Sequence, residues 1–172
     1  MGCGVRRGAY AADPVVTDVT AWLEGSALGV WTRESPSIWA YPTILTLHTI
    51  GLGVLVGANA IIDFRLLGFA PRLPLPSLSP LYRFMWAGFA INAVTGVLLF
   101  ISDATTKARQ PVFYVKLALI ALALVITAAI RRSTNGAVPG DVEPAPKTRR
   151  LAALSLVVWT GAIAAGRLMA YL

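Results

Sequence analysis

Four stretches of the chain are almost free of charged residues, and each is long enough to cross a membrane. They are residues 36–62, 84–102, 111–130 and 151–172. The first two contain no charged residue, the third contains only Lys116, and the fourth contains only Arg167. A spanning helix needs about 20 predominantly apolar residues, and its backbone polar groups must be satisfied within the protein. The pattern therefore predicts four transmembrane helices.

Prolines and glycines mark the ends of these stretches. Prolines stand where three of the helices can begin, at Pro36, Pro80 and Pro111, since the missing N–H costs nothing in a first turn. Pro42 should make the first helix start late or bend. Residues 73–76, with two prolines, and residues 135–140 are predicted to be loops.

A shorter amphipathic segment precedes the first span. Residues 14–31 carry the apolar side chains Val19, Trp22, Leu23, Leu28 and Trp31. This pattern predicts a helix on the membrane surface with its Trp rings at headgroup level. The sequence thus predicts an all-α protein: a transmembrane four-helix bundle, residues 35–172, preceded by an N-terminal tail and a short amphipathic surface helix, residues 1–34.

Composition and charge favour the bilayer as the main partner. Hydrophobic residues make up 56% of the chain and charged residues 13%, whereas a soluble domain has about 25% charged residues. The net charge is +7, but the cations lie at helix ends without interleaved aromatic residues, which argues against nucleic-acid binding. The single cysteine, Cys3, excludes an intrachain disulfide, and Arg6 departs from the myristoylation pattern.

Basic residues also predict the orientation in the membrane. The connections that follow the first and third spans contain most of them: Arg65, Arg72, Arg83, Arg131, Arg132, Lys147, Arg149 and Arg150. By the positive-inside rule these connections face the cytoplasm. Both termini would then face the opposite, outer side.

Small residues predict where the helices meet, because close contact in lipid depends on them. Three spans carry such residues at intervals of four: Gly53 and Gly57 in the first, Gly88, Asn92 and Gly96 in the second, and Gly161 and Ala165 in the fourth. We expect these faces to contact one another. At the other ends of the first two spans, Asp63 is expected to pair with Arg65 or Arg83.

His48, Lys116 and Arg167 are the candidate functional residues. His48 is the only histidine, and helical rise places all three at similar depth in the outer half of the membrane. Snorkelling explains a long cation near a helix end, but the imidazole is too short for it. An ionisable side chain inside a membrane is a functional hypothesis, and a neutral histidine bonded to a neighbouring helix is the structural alternative.

Together the three residues predict an electropositive pocket for a haem b or a quinone, serving electron transfer. In the haem version His48 is the iron ligand, the only metal ligand predicted, and Lys116 and Arg167 pair with the propionates. Asn59 and Asn92 complete the predicted cofactor site. The haem hypothesis lacks a well-placed second axial ligand, because Met85 lies at the wrong depth and Met169 lies near the helix end. Glu24, Glu34 and Asp103 are the candidate counter-charges.

Other functions stay open at this stage. No nucleophile, phosphate-binding or dinucleotide motif occurs, so an enzyme is not expected. A small transporter or export accessory, with His48 as a protonatable gate, is one alternative, although the predicted spans contain no acidic residue. A structural anchor for a membrane or periplasmic partner protein is another, and a homo-oligomer is compatible with each function.

Several short stretches together resemble one bacterial family. They are Trp22-Leu-Glu-Gly-Ser, Tyr41-Pro-Thr with His48, Asp63-Phe-Arg-Leu-Leu-Gly68, Thr95-Gly96 followed by Leu99-Phe100, Phe113 with Lys116, and Trp159, Gly166-Arg167 and Ala170-Tyr171. As a set they resemble an uncharacterised family of small four-helix membrane proteins, over residues 17–171. The resemblance implies the inner-membrane location and this architecture, and it brings no activity.

Overall fold

The chain folds into seven helices over the residues that the structure describes. The computed structural model describes residues 14–69, 71, 74, 78–134 and 144–171. Its helices are α1 (Pro14–Glu24), α2 (Ala27–Glu34), α3 (Tyr41–Leu67), α4 (Ser79–Ile101), α5 (Ala104–Arg109), α6 (Pro111–Thr134) and α7 (Pro146–Leu168). Helices α3, α4, α6 and α7 are long and apolar enough to cross a membrane. The predicted all-α transmembrane bundle is therefore confirmed. Cys3, Arg6 and most of the loops predicted at 73–76 and 135–140 lie outside the described residues.

Helix α3 differs from its prediction at both ends. It begins at Tyr41, with Pro42 in its first turn, and ends at Gly68, whose φ of 99° provides the left-handed C-cap that favours glycine. The sequence pattern ended this span at residue 62, before the first charge. Asp63 and Arg65 instead lie inside the helix and are buried. A span of this protein therefore does contain an acidic residue.

The N-terminal segment forms two helices instead of the single one predicted. Ser26 separates them, and its hydroxyl oxygen accepts the N–H of Gly29 at 3.2 Å as the N-cap of α2. A Cβ at Gly29 would lie 2.7 Å from the carbonyl oxygen of Glu24, so the sharp corner requires glycine. Trp22 and Trp31 remain exposed, as expected for a surface segment with aromatic rings at headgroup level.

Helices α3 and α4 touch through their backbones. A Cβ added to Gly88 would lie 2.7 Å from the backbone nitrogen of Leu55, and one added to Gly51 would lie 2.9 Å from that of Asn92. The prediction for Gly88 was right. It was wrong for Gly53 and Gly57, which have no atom within 4 Å of an added Cβ. Gly51, two residues before the GxxxG pair and on another face of the helix, forms the contact.

Packing differs between the two ends of the bundle. The loop end, where the α3–α4 and α6–α7 connections lie, contains the main cluster of buried apolar side chains. This cluster comprises Leu55, Ala58, Ile62, Leu66, Leu78, Tyr82, Met85, Ala123, Ile126, Ile130, Ala152, Val158 and Trp159. The opposite end, here called the terminal end, is covered by α1, α2 and α5. The terminal half of the bundle is more open, and both large cavities lie there.

We predict that Gly88→Ala destabilises the protein, whereas Gly53→Ala does not. The new methyl group at position 88 must push the α3 backbone away, and overpacking of this kind costs about 1–3 kcal/mol. At position 53 the methyl group meets open space, and alanine is the better helix former. Thermal unfolding in detergent, followed by circular dichroism, measures both. Equal melting temperatures for the two variants would contradict the α3–α4 contact.

Candidate functional site

Two adjoining cavities occupy the terminal half of the bundle. The deep cavity has a volume of about 590 Å³ and extends toward Leu55 and Trp159. The shallow cavity has a volume of about 500 Å³ and extends toward α5. Six residues line both: Tyr41, Leu45, His48, Lys116, Gly166 and Ala170. Arg167 lines the deep cavity, so the structure brings His48, Lys116 and Arg167 together.

His48 is held against α4. Its Nδ1 lies 3.1 Å from the hydroxyl oxygen of Thr95. The side-chain amide of Asn92 donates to the His48 carbonyl oxygen at 2.9 Å. Gly96 leaves room for the ring, because an added Cβ would lie 3.1 Å from its Cε1. Three residues of α4 at helical spacing thus fix both the backbone and the ring of His48.

Two polar side chains of α4 lie near Nδ1 of His48. The Thr95 hydroxyl oxygen is 3.1 Å away, and the Asn92 side-chain nitrogen, which is a donor, is 3.4 Å away. Thr95 has an acceptor for its own proton in the carbonyl oxygen of Ile91, at 2.6 Å, so we infer that its oxygen accepts at the shorter contact and that Nδ1 carries the proton. Nε2 therefore keeps a lone pair, and no described residue hydrogen-bonds to it. A neutral imidazole oriented through Nδ1–H is the arrangement in which Nε2 ligates a metal or accepts a proton.

The side chain of Lys116 reaches the cavities by passing over Gly166 of α7. A Cβ at Gly166 would lie 3.5 Å from Cε of Lys116 and 3.6 Å from its Nζ, so the alkyl chain lies along the α7 backbone. Lys116 is half-buried and Arg167 is exposed. Neither forms an ion pair or a hydrogen bond with any residue in the described part of the chain. The described residues therefore provide no ion-pair partner for these two cations of the cavities.

The three candidate counter-charges pair with other cations, although Asp103 and its partner Lys107 themselves line the shallow cavity. Glu24 and Glu34 both pair with Arg33, at 3.2 and 2.9 Å. Asp103 lies 3.7 Å from Nζ of Lys107. None of these carboxylates reaches Lys116 or Arg167. The acidic partner that two cations at the edge of a membrane require is thus not supplied by the described residues.

The two predicted asparagines have different positions. Asn92 lines the deep cavity and bonds to His48. Asn59 does not line it; it lies about one helical turn beyond Leu55, in a separate buried polar cluster with Asp63. Helical spacing predicted Asn59 on the same face of α3 as His48. In the structure the buried side chain of Leu55 lies between the two residues. The structure therefore separates Asn59 from the other predicted site residues.

No protein-family model, curated protein or solved structure matches this chain. The family resemblance drawn from short stretches of the sequence stays a prediction. Function must therefore be argued from the chemistry of the cavities themselves.

The cavity lining includes residues that the sequence did not single out as part of a site. Gly166 makes room for Lys116, and behind the lining Thr95 contacts Nδ1 of His48. Trp159 lies at the deep end, buried, with no hydrogen-bond partner for its indole N–H among the described residues. Met169 lines the shallow cavity together with His48, whereas Met85 is buried in the loop-end core. The spacing of Asn92, Thr95 and Gly96 was a usable signal, since all three lie on the α4 face that meets His48.

A polar cap closes the terminal end above the shallow cavity. Glu24 accepts the backbone N–H of Thr105 at the start of α5, at 3.1 Å, and Arg33 donates to the carbonyl oxygen of Ser102 at 3.2 Å. The hydrogen bonds from Thr105, and the charge of Arg33, hold the pKa of Glu24 below its usual value. Burial lowers the pKa of Lys107, although neighbouring Asp103 opposes this effect. The surface helices are thus tied to α5 by a charged carboxylate.

Taken together, the site offers a free imidazole nitrogen and two cations that form no ion pair with a described residue, above an apolar interior. Leu52, Ile120 and Trp159 form much of that interior. Cavities of about 300–1,000 Å³ with a few oriented polar groups are typical of small-molecule sites. Such a site suits a ligand with an apolar or flat body and an anionic end, and it could ligate a metal held within that body.

We predict that the terminal cap loosens in acid through Glu24. Because the pKa of Glu24 is lower in the folded protein, its contribution is present above the unfolded value and is lost as the pH falls through the folded value. Hydrogen exchange of the Thr105 amide should accelerate over that range, beyond the intrinsic dependence of exchange on pH. In Glu24→Gln the amide should already exchange faster at pH 7, while Asp18→Asn, at an exposed position of α1, serves as the control. Unchanged Thr105 protection in Glu24→Gln would contradict the role of this carboxylate.

Proposed function

We propose that this chain is a membrane-embedded binding subunit for electron transfer, whose deep cavity takes haem b. The observation that carries the proposal is the free Nε2 of His48 beside two cations, Lys116 and Arg167, that form no ion pair within the described part of the chain. Haem b requires a nitrogen ligand for its iron, an apolar slot for the macrocycle and cationic partners for two propionates. The cavity supplies one group for each requirement.

The residues fit this cofactor in chemistry as well as in number. His48 would supply the axial nitrogen, with Thr95 keeping the proton on the opposite ring nitrogen. Lys116 and Arg167 would pair with the propionates, and Leu52 and Ile120 would contact the macrocycle. When bound, the haem supplies one-electron redox chemistry. The protein supplies ligation, charge neutralisation and exclusion of water.

A quinone is the second candidate, and the orphan indole of Trp159 favours it. Trp159 lies eight residues before Arg167 on α7, about 12 Å deeper at 1.5 Å per residue. A ligand with acceptors at both ends could accept from Trp159 at one end and from Lys116 at the other. Nε2 of His48 could accept the proton of a quinol hydroxyl. This candidate keeps the electron-transfer function and replaces only the ligand.

We further propose that the terminal end faces the periplasm of a bacterial inner membrane. The basic residues near the α3–α4 and α6–α7 connections, including Arg131 and Arg132 at the end of α6, support this orientation by the positive-inside rule. The cavities would then open toward the periplasmic side, where a membrane or periplasmic partner protein could exchange electrons with the ligand.

We predict that haemin added to the detergent-purified full chain gives a shifted Soret band that saturates at one equivalent. His48→Ala should abolish the axial-ligand signature. Lys116→Gln and Arg167→Gln should each raise Kd about tenfold or more, because a charge-assisted contact contributes roughly 1.5–3 kcal/mol. Arg109→Gln is the matched control, since Arg109 is exposed at the same end of the bundle and lines neither cavity.

Two results would contradict the haem proposal: an unshifted Soret band in the wild-type protein, or the same spectrum in His48→Ala. The quinone candidate is tested separately with a short-chain ubiquinone analogue, which should quench tryptophan fluorescence in the wild type and less in Trp159→Phe and His48→Ala. Failure of both ligands would leave the electron-transfer function without support.

A further inference from the structure

A second polar centre lies in the loop-end half of the bundle, outside both large cavities. The side-chain amide of Asn59 donates to Oδ2 of Asp63 at 2.6 Å and to the hydroxyl oxygen of Ser155 at 2.9 Å. Thr127 donates to the Asn59 side-chain oxygen at 2.9 Å. All four residues are buried, and Asp63 is 0% exposed. Helices α3, α6 and α7 thus meet around one carboxyl group.

Asp63 has one oxygen without a partner. Oδ2 accepts from Asn59, but Oδ1 is buried and has no hydrogen-bond partner among the described residues. An ionised carboxylate accepts at both oxygens and needs a cation or several donors when it is buried. Among the described residues, Asp63 has one donor contact and no cation at its oxygens, and burial penalises the charged form, so the neutral, protonated form is favoured.

The charged and titratable groups on the surrounding helices do not neutralise Asp63. On α3 itself Arg65 is buried and has interactions of its own, and none of the ion pairs between described residues involves Asp63. On α4 the Tyr82 side chain is buried. On α6 the Arg131 guanidinium lies over the Tyr82 ring, 5.4 Å from its centre. On α7 Arg149 donates to the carbonyl oxygen of Leu67. The predicted pairing of Asp63 with Arg65 or Arg83 is therefore wrong.

A small cavity leads from the loop end toward this centre. It has a volume of about 260 Å³ and is lined by Tyr82, Trp86, Thr127, Ala128, Arg131 and Arg132. Thr127 is itself hydrogen-bonded to Asn59, and Asn59 to Asp63. The arginines stand where the helix leaves the membrane, so water at the loop end can approach the cluster through this cavity.

We propose that Asp63 is an intramembrane proton-binding site that is protonated at neutral pH and exchanges its proton with the loop-end side. The proton is carried on Oδ1, and Asn59, Ser155 and Thr127 hold the carboxyl group in place. The observations that support this site are the buried polar cluster and the loop-end cavity. The site therefore does not depend on the ligand proposed for the deep cavity. It gives the bundle a titratable group between the deep cavity and the opposite membrane face.

Carbodiimide labelling tests the protonation state. Dicyclohexylcarbodiimide adds to protonated carboxyl groups in apolar surroundings, so the full chain in nanodiscs should form one N-acylurea adduct at neutral pH, mapped by mass spectrometry to the Asp63 peptide. Labelling should fall as the pH is raised, and Asp63→Asn should abolish it. Asp103→Asn, which removes a partly exposed carboxyl, should label like the wild type. Absence of an Asp63 adduct in the wild type overturns the proposal, and protection by excess Na⁺ overturns it in favour of a cation site.

Infrared spectroscopy of the same samples tests the exchange route and does not depend on reagent access. The wild type should show the carbonyl band of a protonated carboxyl group, and Asp63→Asn should lack it. In D₂O the band should shift as the proton exchanges. The rate of this shift should be several-fold lower in Ala128→Leu than in the wild type, because the larger side chain fills the loop-end cavity. Ala121→Leu, at an exposed position of the same helix outside the cavities, is the matched control. A wild type without this band contradicts a bound proton, and equal rates in the two leucine variants contradict access through this cavity.

Discussion

The backbone contact between α3 and α4 at Gly51 and Gly88 sets the geometry on which the candidate site depends. With no side chain between them, the helices come close enough for Asn92 to reach the His48 carbonyl oxygen and for Thr95 to accept from its ring. In lipid, helices gain little from burying apolar surface against each other, so close packing and interhelical hydrogen bonds provide much of the association. The same contact therefore stabilises the fold and orients the imidazole.

The bundle is tight at one end and open at the other, and the polar residues follow this division. At the loop end, large apolar side chains close the core around Asp63 and Asn59, and Asn59 bonds to Asp63, Ser155 and Thr127. At the terminal end, Gly96 and Gly166 leave space that His48 and Lys116 only partly fill. Leu55 and Trp159 separate the two regions, so one chain contains an open electropositive cavity and a buried acidic centre.

The sequence predicts the spans and the convergence of His48, Lys116 and Arg167, because apolar length and helical rise are local properties. It does not predict which face of α3 meets α4: Gly53 and Gly57 have the better-known spacing, yet Gly51 makes the contact. That choice depends on the partner helix. The burial of Asp63 was also missed, since a charge usually marks the end of a span, whereas here Asn59 accommodates it. The contacts that a neighbouring helix provides cannot be predicted from the sequence of one segment.

We infer that His48 is neutral, carries its proton on Nδ1 and keeps a free lone pair on Nε2 facing a cation-lined cavity. Because the chain has one histidine, ¹⁵N-histidine labelling and NMR of the protein in nanodiscs report on this ring alone. We predict one protonated nitrogen, assigned to Nδ1, and one nitrogen at the shift of an unprotonated imidazole, assigned to Nε2, with the tautomer becoming mixed in Thr95→Val. A ring protonated at both nitrogens at neutral pH, or protonated only at Nε2, would contradict this inference.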